Sequence, residues 1–382
     1  MKQTKIIYLF LCFSCFLFSC TGNRKTGFSL QGGDTILMRH ATHLTMVDYG
    51  KYIAVSVRNP WDTLRVLQQY LLLPYEMDLS DEVIPQGYTI VRVPMRKAVV
   101  YTSVHAALLA ELGVVDRISG LCDGQYSRCD EIIERLEDKR IVDLGSSMNP
   151  DIEQMVMLDS DGLFISSFEG GDKGKADRLQ IPVIECADYM EQSPLARAEW
   201  MRFYGRLFGC TDAADSLFRV VERDYLTECA LAEDVVKRLG NKHPVLLCDM
   251  PMGNVWYQPG GNSTMGRLYR DAGAQLLFDN NEKSGGVPYS FEAIVERAIN
   301  EADVWLLRYN SHADITLKTL LADIPVSREL TPFLENRVWG CNTSYVPFYE
   351  QIPFHPECLL HELVSILFFD KSENQYYSKV VE

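Results

Sequence analysis

Two rhythms of apolar and polar positions follow one another along this chain. Residues 34–93 change character at short intervals, as in Tyr52-Ile-Ala-Val-Ser-Val-Arg58 and Tyr88-Thr-Ile-Val-Arg-Val93. That alternation predicts the strands of an N-terminal antiparallel piece. From Lys97 the apolar runs lengthen and helical spacing enters. Ala98-Val-Val-Tyr101 is a short strand. Ser103 caps a helix through Ala106, Leu108, Leu109 and Leu112, and Gly113 ends it. Arg117-Ile-Ser-Gly-Leu121 predicts the next strand, residues 152–158 a helix, Gly162-Leu-Phe-Ile-Ser-Ser167 a strand and residues 179–185 another. Strands alternating with helices imply a parallel layer.

Residues 199–239 carry no strand signal and predict a long helical stretch broken near Gly209-Cys-Thr211, with Asp212 as a cap. The alternation then restarts. Pro244-Val-Leu-Leu-Cys-Asp249, residues 274–278, Asp303-Val-Trp-Leu-Leu-Arg308 and Arg337-Val-Trp-Gly-Cys341 are strands, and residues 264–272, 291–300 and 356–369 are helices. Asp161-Gly-Leu-Phe-Ile and Asp303-Val-Trp-Leu-Leu hold the same place in each half. The expected fold class is α/β: two lobes with parallel-rich sheets, joined by a long rigid helix, with a ligand cleft between them. Ligands prefer such a crevice, beyond the carboxyl ends of the strands. Residues 34–96 are an extra β-rich segment, 97–195 the first lobe, 196–240 the linking segment and 241–382 the second lobe.

The beginning of the chain adds a compartment. Lys2 and Lys5 precede an apolar run at 6–18, and Leu17-Phe18-Ser19-Cys20 follows. A basic start, a short apolar core and a small residue before the cut predict a signal peptide over 1–19. Cys20 stands where a bacterial lipoprotein carries its diacylglycerol, and 20–33 is a polar tether. The protein is thus expected in the periplasm, lipid-anchored to a membrane, the inner one favoured. Of 37 Lys and Arg, two fall in the signal; 35 against 52 acidic residues leave −17. So acidic a surface argues against nucleic acid. Eight further cysteines are scattered without a CxxC pair, which argues against a zinc site. Cys122 and Cys129 are close enough for a loop disulfide.

Catalytic motifs are missing: no GxSxG, HExxH, P-loop or GxGxxG follows a strand. Ser103 and His105 are close in sequence, but the simpler reading makes Ser103 a cap and His105 an exposed first-turn residue. The strand-end loops instead supply aromatic and polar side chains: Tyr101, Thr102, Ser103, Tyr126, Met148 and Phe168 in the first half, and Met252, Trp256, Tyr289, Arg308, Tyr309, Tyr345, Phe348 and Tyr349 in the second. Large flat side chains suit a bulky, shell-like ligand. Arg308 is suited to a carboxylate, phosphate or catecholate-type oxygen. The stretch Tyr345-Val-Pro-Phe-Tyr349 is too aromatic and irregular to be wholly buried.

Five segments in order carry a family resemblance. They are the stretch from Val99 through Leu112-Gly113 and Asp116-Arg-Ile-Ser-Gly120 to Asp123, Asn149-Pro-Asp-Ile-Glu153 leading to Asp161-Gly-Leu-Phe164, Pro259-Gly-Gly-Asn-Ser263 with Asp271-Ala-Gly273, Pro288-Tyr-Ser-Phe-Glu292, and His355-Pro-Glu-Cys-Leu-Leu360. Together they resemble the class III periplasmic binding proteins of ABC importers, the family serving iron-siderophore, haem and cobalamin uptake. The resemblance covers roughly 97–370. Ser103 stands where the family often has Pro, Ala107 where it often has Glu, and residues 34–93 are an addition.

The resemblance implies a non-catalytic monomer that grips a ferric siderophore and hands it to an inner-membrane permease and its ATPase. Glu153 and Glu292 match the acidic residues that dock on permease arginines. It implies no resident metal ion or cofactor, the metal arriving within the ligand. Cobalamin is the near alternative and haem a further one. A periplasmic hydrolase using Ser103 and His105, or a sensor or adaptor without transport, stand as rivals of another class.

Overall fold

A computed structural model describes residues 26–27, 30–62, 64–79, 82–169, 179–373 and 375–382. Cys20 and the signal segment lie outside the described residues.

The extension is a five-stranded sheet of β1 (Asp34–Ile36), β2 (Leu44–Asp48), β3 (Ile53–Arg58), β4 (Val66–Pro74) and β5 (Tyr88–Val93), in that spatial order. The first three pairings are antiparallel, but β5 runs parallel to β4. The wholly antiparallel expectation is corrected here. The linking residues carry the chain back along the sheet before β5 begins, a crossover that alternation within the strands cannot reveal. One sheet face sends Leu44, Met46, Val55, Val57, Tyr70 and Leu72 into the main core, and the other packs Leu71 and Leu73 under Tyr49, Tyr52 and Tyr88.

Two buried glutamates tie the extension to the body. The backbone N–H groups of Arg39, His40 and Ala41 donate to Glu199 at 2.8–2.9 Å. Those of Thr42 and His43 donate to Glu191 at 2.9–3.0 Å. The Trp200 indole N–H donates to Glu191 as well. A turn of chain without secondary structure thereby has its donors satisfied inside the fold.

The first lobe runs β6 (Ala98–Val100), α1 (Ser103–Glu111), β7 (Ile118–Leu121), α2 (Asp130–Glu137), β8 (Val142–Asp143), α3 (Ile152–Met157), β9 (Gly162–Ile165) and β10 (Val183–Glu185). Its sheet has the order β8-β7-β6-β9-β10, all parallel. Thr102, one residue before the expected Ser103, caps α1 by accepting the His105 N–H. The short α4 (Pro194–Ala198) and α5 (Met201–Phe208) lead to Gly209, whose φ of +73° lets the chain turn. The spine α6 (Thr211–Arg238) follows, a helix of 28 residues. Ala214, Phe218, Val221, Tyr225, Ala232 and Val236 form its buried stripe, at the spacing of one helix face. Asp212 sits within its first turn, and Cys210 occupies the cap position.

The second lobe contains β11 (Val245–Cys248), β12 (Val255–Pro259), α7 (Thr264–Asp271), β13 (Gln275–Leu276), β14 (Gly286–Ser290), α8 (Phe291–Glu301), β15 (Val304–Tyr309), α9 (Leu317–Asp323), α10 (Thr331–Leu334), β16 (Val338–Asn342), α11 (Phe348–Gln351), α12 (Pro356–Phe369) and β17 (Ser378–Lys379). Its main sheet has the order β13-β11-β15-β16-β17, with only β17 antiparallel, and β12 pairs with β14 as a separate ribbon. Gly260 and Gly261 follow β12 so closely under Asn281 and Lys283 that a Cβ at either would strike a backbone carbonyl. The lobes share a rhythm but differ in strand order. The order reverses between β6 and β9 in the first and between β11 and β15 in the second, and each reversal opens a crevice at the strand ends. The eight described cysteines are free, Cys122 and Cys129 included. No helix among the described residues is long and apolar enough to cross a membrane.

Candidate ligand-binding cleft

The two crevices face one another across a cavity of about 770 Å³. Thr102 and Ser103 reach it from the end of β6, and Asp123, Tyr126 and Arg128 from the loop after β7. Met252 enters after β11, Arg308, Tyr309 and Asn310 at the end of β15, and Thr343, Val346, Pro347, Tyr349 and Glu350 after β16. Every lining residue lies at or beyond the carboxyl end of a strand. A second, mostly apolar chamber of about 260 Å³ lies behind Arg308 and Tyr349, among Val104, Met265, Leu268, Ile352 and Pro356.

The charges in the cavity are largely matched. Arg308 grips Asp249 with two bonds, Nε to Oδ1 at 2.8 Å and Nη2 to Oδ2 at 2.6 Å. The same guanidinium lies 5.5 Å over the Phe348 ring. Arg128 spans the lobes: its backbone N–H donates to Glu350 at 2.6 Å and its Nε to the Ser344 carbonyl at 2.9 Å. Asp249, directly after β11, and Asp123, two residues beyond β7, hold φ of 59° and 55°. Aspartate tolerates this left-handed region better than most residues, and such positions concentrate at working sites.

A buried network backs the first wall. His105 Nδ1 meets Thr102 Oγ1 at 2.7 Å, and its Nε2 meets Asp188 Oδ1 at 2.9 Å. Tyr204 donates to the same Asp188 oxygen at 2.8 Å, and Arg197 to the other at 3.1 Å. Burial alone would raise the Asp188 carboxyl; His105, Arg197 and the Tyr204 hydrogen bond outweigh it and hold the acid below its ordinary value. His105 is therefore buried, not exposed, and it serves Thr102 and Asp188 rather than Ser103. It is enclosed because α1 buries Ala106, Leu108 and Leu109 beside it.

Residues 98–337 match the family model described as periplasmic binding protein, a span of more than half the chain. The chain belongs to the periplasmic binding protein family. A curated relative, an uncharacterized lipoprotein of Methanocaldococcus jannaschii, is 24% identical over 239 residues, covering 60% of this chain and 56% of the relative. The chain thus spans little more than half the length of that relative. Among solved structures, the petrobactin-binding protein of Bacillus subtilis superposes with a TM-score of 0.58 at 15% identity, over 82% of this chain and 98% of that one. A periplasmic heme-binding protein of Pseudomonas aeruginosa superposes with a TM-score of 0.56 at 14% identity, over 73% and 94%. At such identities the structures establish the shared fold.

In this periplasmic binding protein the cavity gathers Thr102, Ser103, Tyr126, Met252, Arg308, Tyr309 and Tyr349 from the expected set. The others are placed elsewhere. Tyr101 turns into the first-lobe core toward Met155, where burial pushes its hydroxyl up to about 12. Trp256 is fully buried, donates to the Cys248 carbonyl at 2.8 Å and packs on Trp305. Tyr289 stacks on Phe278 with ring centres 4.0 Å apart. Phe348 is buried against Tyr376 and Tyr377, a floor beneath Arg308. Met148, Phe168 and Tyr345 are exposed but do not line the cavity. Tyr345 donates to the His312 carbonyl. Strand-end position alone cannot say which way a side chain turns.

Sequence reasoning missed Asp123, Arg128, Asp249 and Glu350. For the two aspartates a signal existed, since Asp249 closes one predicted strand and Asp123 lies two residues beyond another. Glu153 and Glu292 lie exposed in the first turns of α3 and α8, one on each lobe. Among the described residues one trio brings possible metal donors together: His355, Glu357 and Cys358. His355 gives both ring nitrogens to carboxylates, 2.7 Å from Glu111 and 2.9 Å from Glu357, so it acts as an ion pair between α1 and α12.

Proposed function

We propose that this protein is the substrate-binding component of an ABC importer and that it captures a metal chelate, a ferric siderophore first, between its lobes. The observation that carries this reading is the 770 Å³ cavity walled by strand ends of both lobes, with Tyr126 and Tyr349 presented on opposite sides. That volume suits a ligand of chelate size. Two neighbours in fold are named for petrobactin and heme binding, which is consistent with a bulky metal complex here. Cobalamin is the second reading. It is favoured by the pairing of Arg308 with Asp249, which leaves no basic cluster to demand an anionic ligand. Haem draws less support, because Tyr101 and His105, the residues suited to bind its iron, are both buried.

Delivery to a permease follows from the family. Glu153 and Glu292 would set the register of docking, and paired exposed charges speed encounter more than they add affinity. Cys20 would hold the exported protein on the membrane through its acyl chains. A binding role without catalysis fits the site, where the His105 nitrogens are spent on Thr102 and Asp188. The test is mass spectrometry of the purified protein for bound iron and cobalt, followed by titration with ferric siderophores and cyanocobalamin. One class binding saturably at micromolar concentration or below supports the reading. Hydrolytic turnover lost in Ser103→Ala, with no chelate bound, would replace it by the enzyme reading.

A further inference from the structure

Glu350 is an anomaly in the cleft. It sits on α11, lines the cavity and is only 5% exposed. Its Oε2 accepts the Arg128 N–H, while Oε1 is buried without a hydrogen-bond partner. Burial raises the carboxyl above its ordinary value, outweighing the Arg128 N–H and the nearby Ser127 and Ser103 hydroxyls, which favour the charged form. A buried acceptor left unmade costs folding free energy. Such a group calls for an explanation, and a donor brought from outside the chain is one.

The surrounding charge says what completes it. Arg308 is neutralised by Asp249. The Arg128 guanidinium faces the carbonyls of Ser344, Gln125 and Ser127 rather than a carboxylate. Asp123 and Glu350 then stand against Arg128 alone, one negative charge in excess on the cavity wall. A ligand placing an anionic group beside Glu350 meets repulsion and an acceptor with nothing to accept. A ligand placing a protonated nitrogen there supplies both the missing donor and the missing charge, and charge-assisted bonds are the strong ones.

We propose that Glu350 selects the ligand by accepting a hydrogen bond from a pendent ammonium group, so that the chelate carried here is neutral or cationic overall. This rests on the chelate-binding reading above and narrows it. The one excess negative charge disfavours highly charged anionic chelates, and the Ser103 hydroxyl lines the same cavity. The alternative is a structural role, in which Glu350 only anchors the Arg128 N–H and so keeps the lobes in register.

The experiment uses the full chain, wild type and Glu350→Gln, and two ferric chelates. One is a linear trihydroxamate with a terminal ammonium; the other is its N-acetylated form, with the same iron coordination. Calorimetry should show the wild type binding the ammonium form about tenfold tighter or more, and Glu350→Gln bringing the two to equal affinity. Thermal unfolding without ligand should show Glu350→Gln as stable as the wild type or more so, because the substitution removes a buried charge that only ligand completes. Equal binding of both chelates by the wild type, or a preference that survives Glu350→Gln, overturns this inference and leaves the binding reading standing. Binding of neither chelate overturns both for hydroxamates. A marked loss of stability in Glu350→Gln assigns the residue the structural role instead.

Discussion

Arg308 and Asp249 meet in a two-pronged ion pair that joins the end of β15 to the end of β11, the neighbouring strands between which the second lobe's order reverses. Each side chain keeps about a quarter of its surface exposed, so the pair is neither a solvent-screened ornament nor fully enclosed. Removing one partner leaves the other charge half-buried and unmatched. Asp249→Ala should lower the unfolding free energy by about 2 kcal/mol, measured by urea denaturation. The same change frees the guanidinium, so anionic chelates should gain affinity relative to neutral ones. Unchanged stability and unchanged selectivity would remove the pair from the account.

The extension depends on Glu199 and Glu191. Glu199→Ala strands three backbone donors and removes one of the two carboxylates of Arg202, which it meets at 3.0 Å while Asp215 holds the other side. A loss of about 3 kcal/mol or more is expected. Hydrogen exchange should rise first at Arg39, His40 and Ala41, while β6 and β9 keep their protection. Uniform loss across both lobes would mean that the extension and first lobe unfold as one unit.

The His355 link makes stability depend on pH. Burial lowers its pKa, but Glu111 and Glu357 outweigh burial and raise it to about 9. The folded value exceeds the unfolded one, so the contribution is fully present below the ordinary histidine range and disappears as pH climbs through about 9. Glu111 is substantially exposed, and screening reduces the effect to about 1–2 kcal/mol. Stability measured from pH 6 to pH 10 should therefore fall more in the wild type than in His355→Gln. Parallel curves would show that the pair contributes nothing.

Much of this fold is legible in the sequence because its helices and strands keep their own periods. The strands at Ala98–Val100, Gly162–Ile165, Val245–Cys248 and Val304–Tyr309 are short apolar runs bounded by polar turns, and α6 shows one unbroken stripe from Ala214 to Val236. Strand order is not legible. Nothing local distinguishes β13 beside β11 from β8 beside β7. In the site, the rule that ligands meet strand ends singles out Thr102, Ser103, Tyr126, Met252, Arg308, Tyr309 and Tyr349, which line the cavity. It misplaced Trp256 and Phe348, since an aromatic near a strand end turns inward whenever a core has room for it. It also passed over Glu350, whose importance lies in a hydrogen bond it does not make.

Docking should separate from binding. Glu153 and Glu292 are exposed on different lobes and are not among the residues that line the cavity. Glu153→Ala with Glu292→Ala should abolish chelate-dependent uptake in cells and leave the affinity of the purified protein unaltered. Uptake at the wild-type rate would place permease contact elsewhere, or favour a sensor that does not transport.

On the proposed function, a metal chelate is held in the interlobe cavity. Tyr126 and Tyr349 are 62% and 59% exposed, so alanine at either position should cost the fold little. Calorimetric titration of the wild type and the Tyr126→Ala, Tyr349→Ala double variant with ferric siderophores and cyanocobalamin is the direct test. One-to-one saturable binding of one class by the wild type is expected, and at least about tenfold weaker binding by the variant, from the lost aromatic contact. No binding of either class, or equal affinity in the variant, would contradict that function.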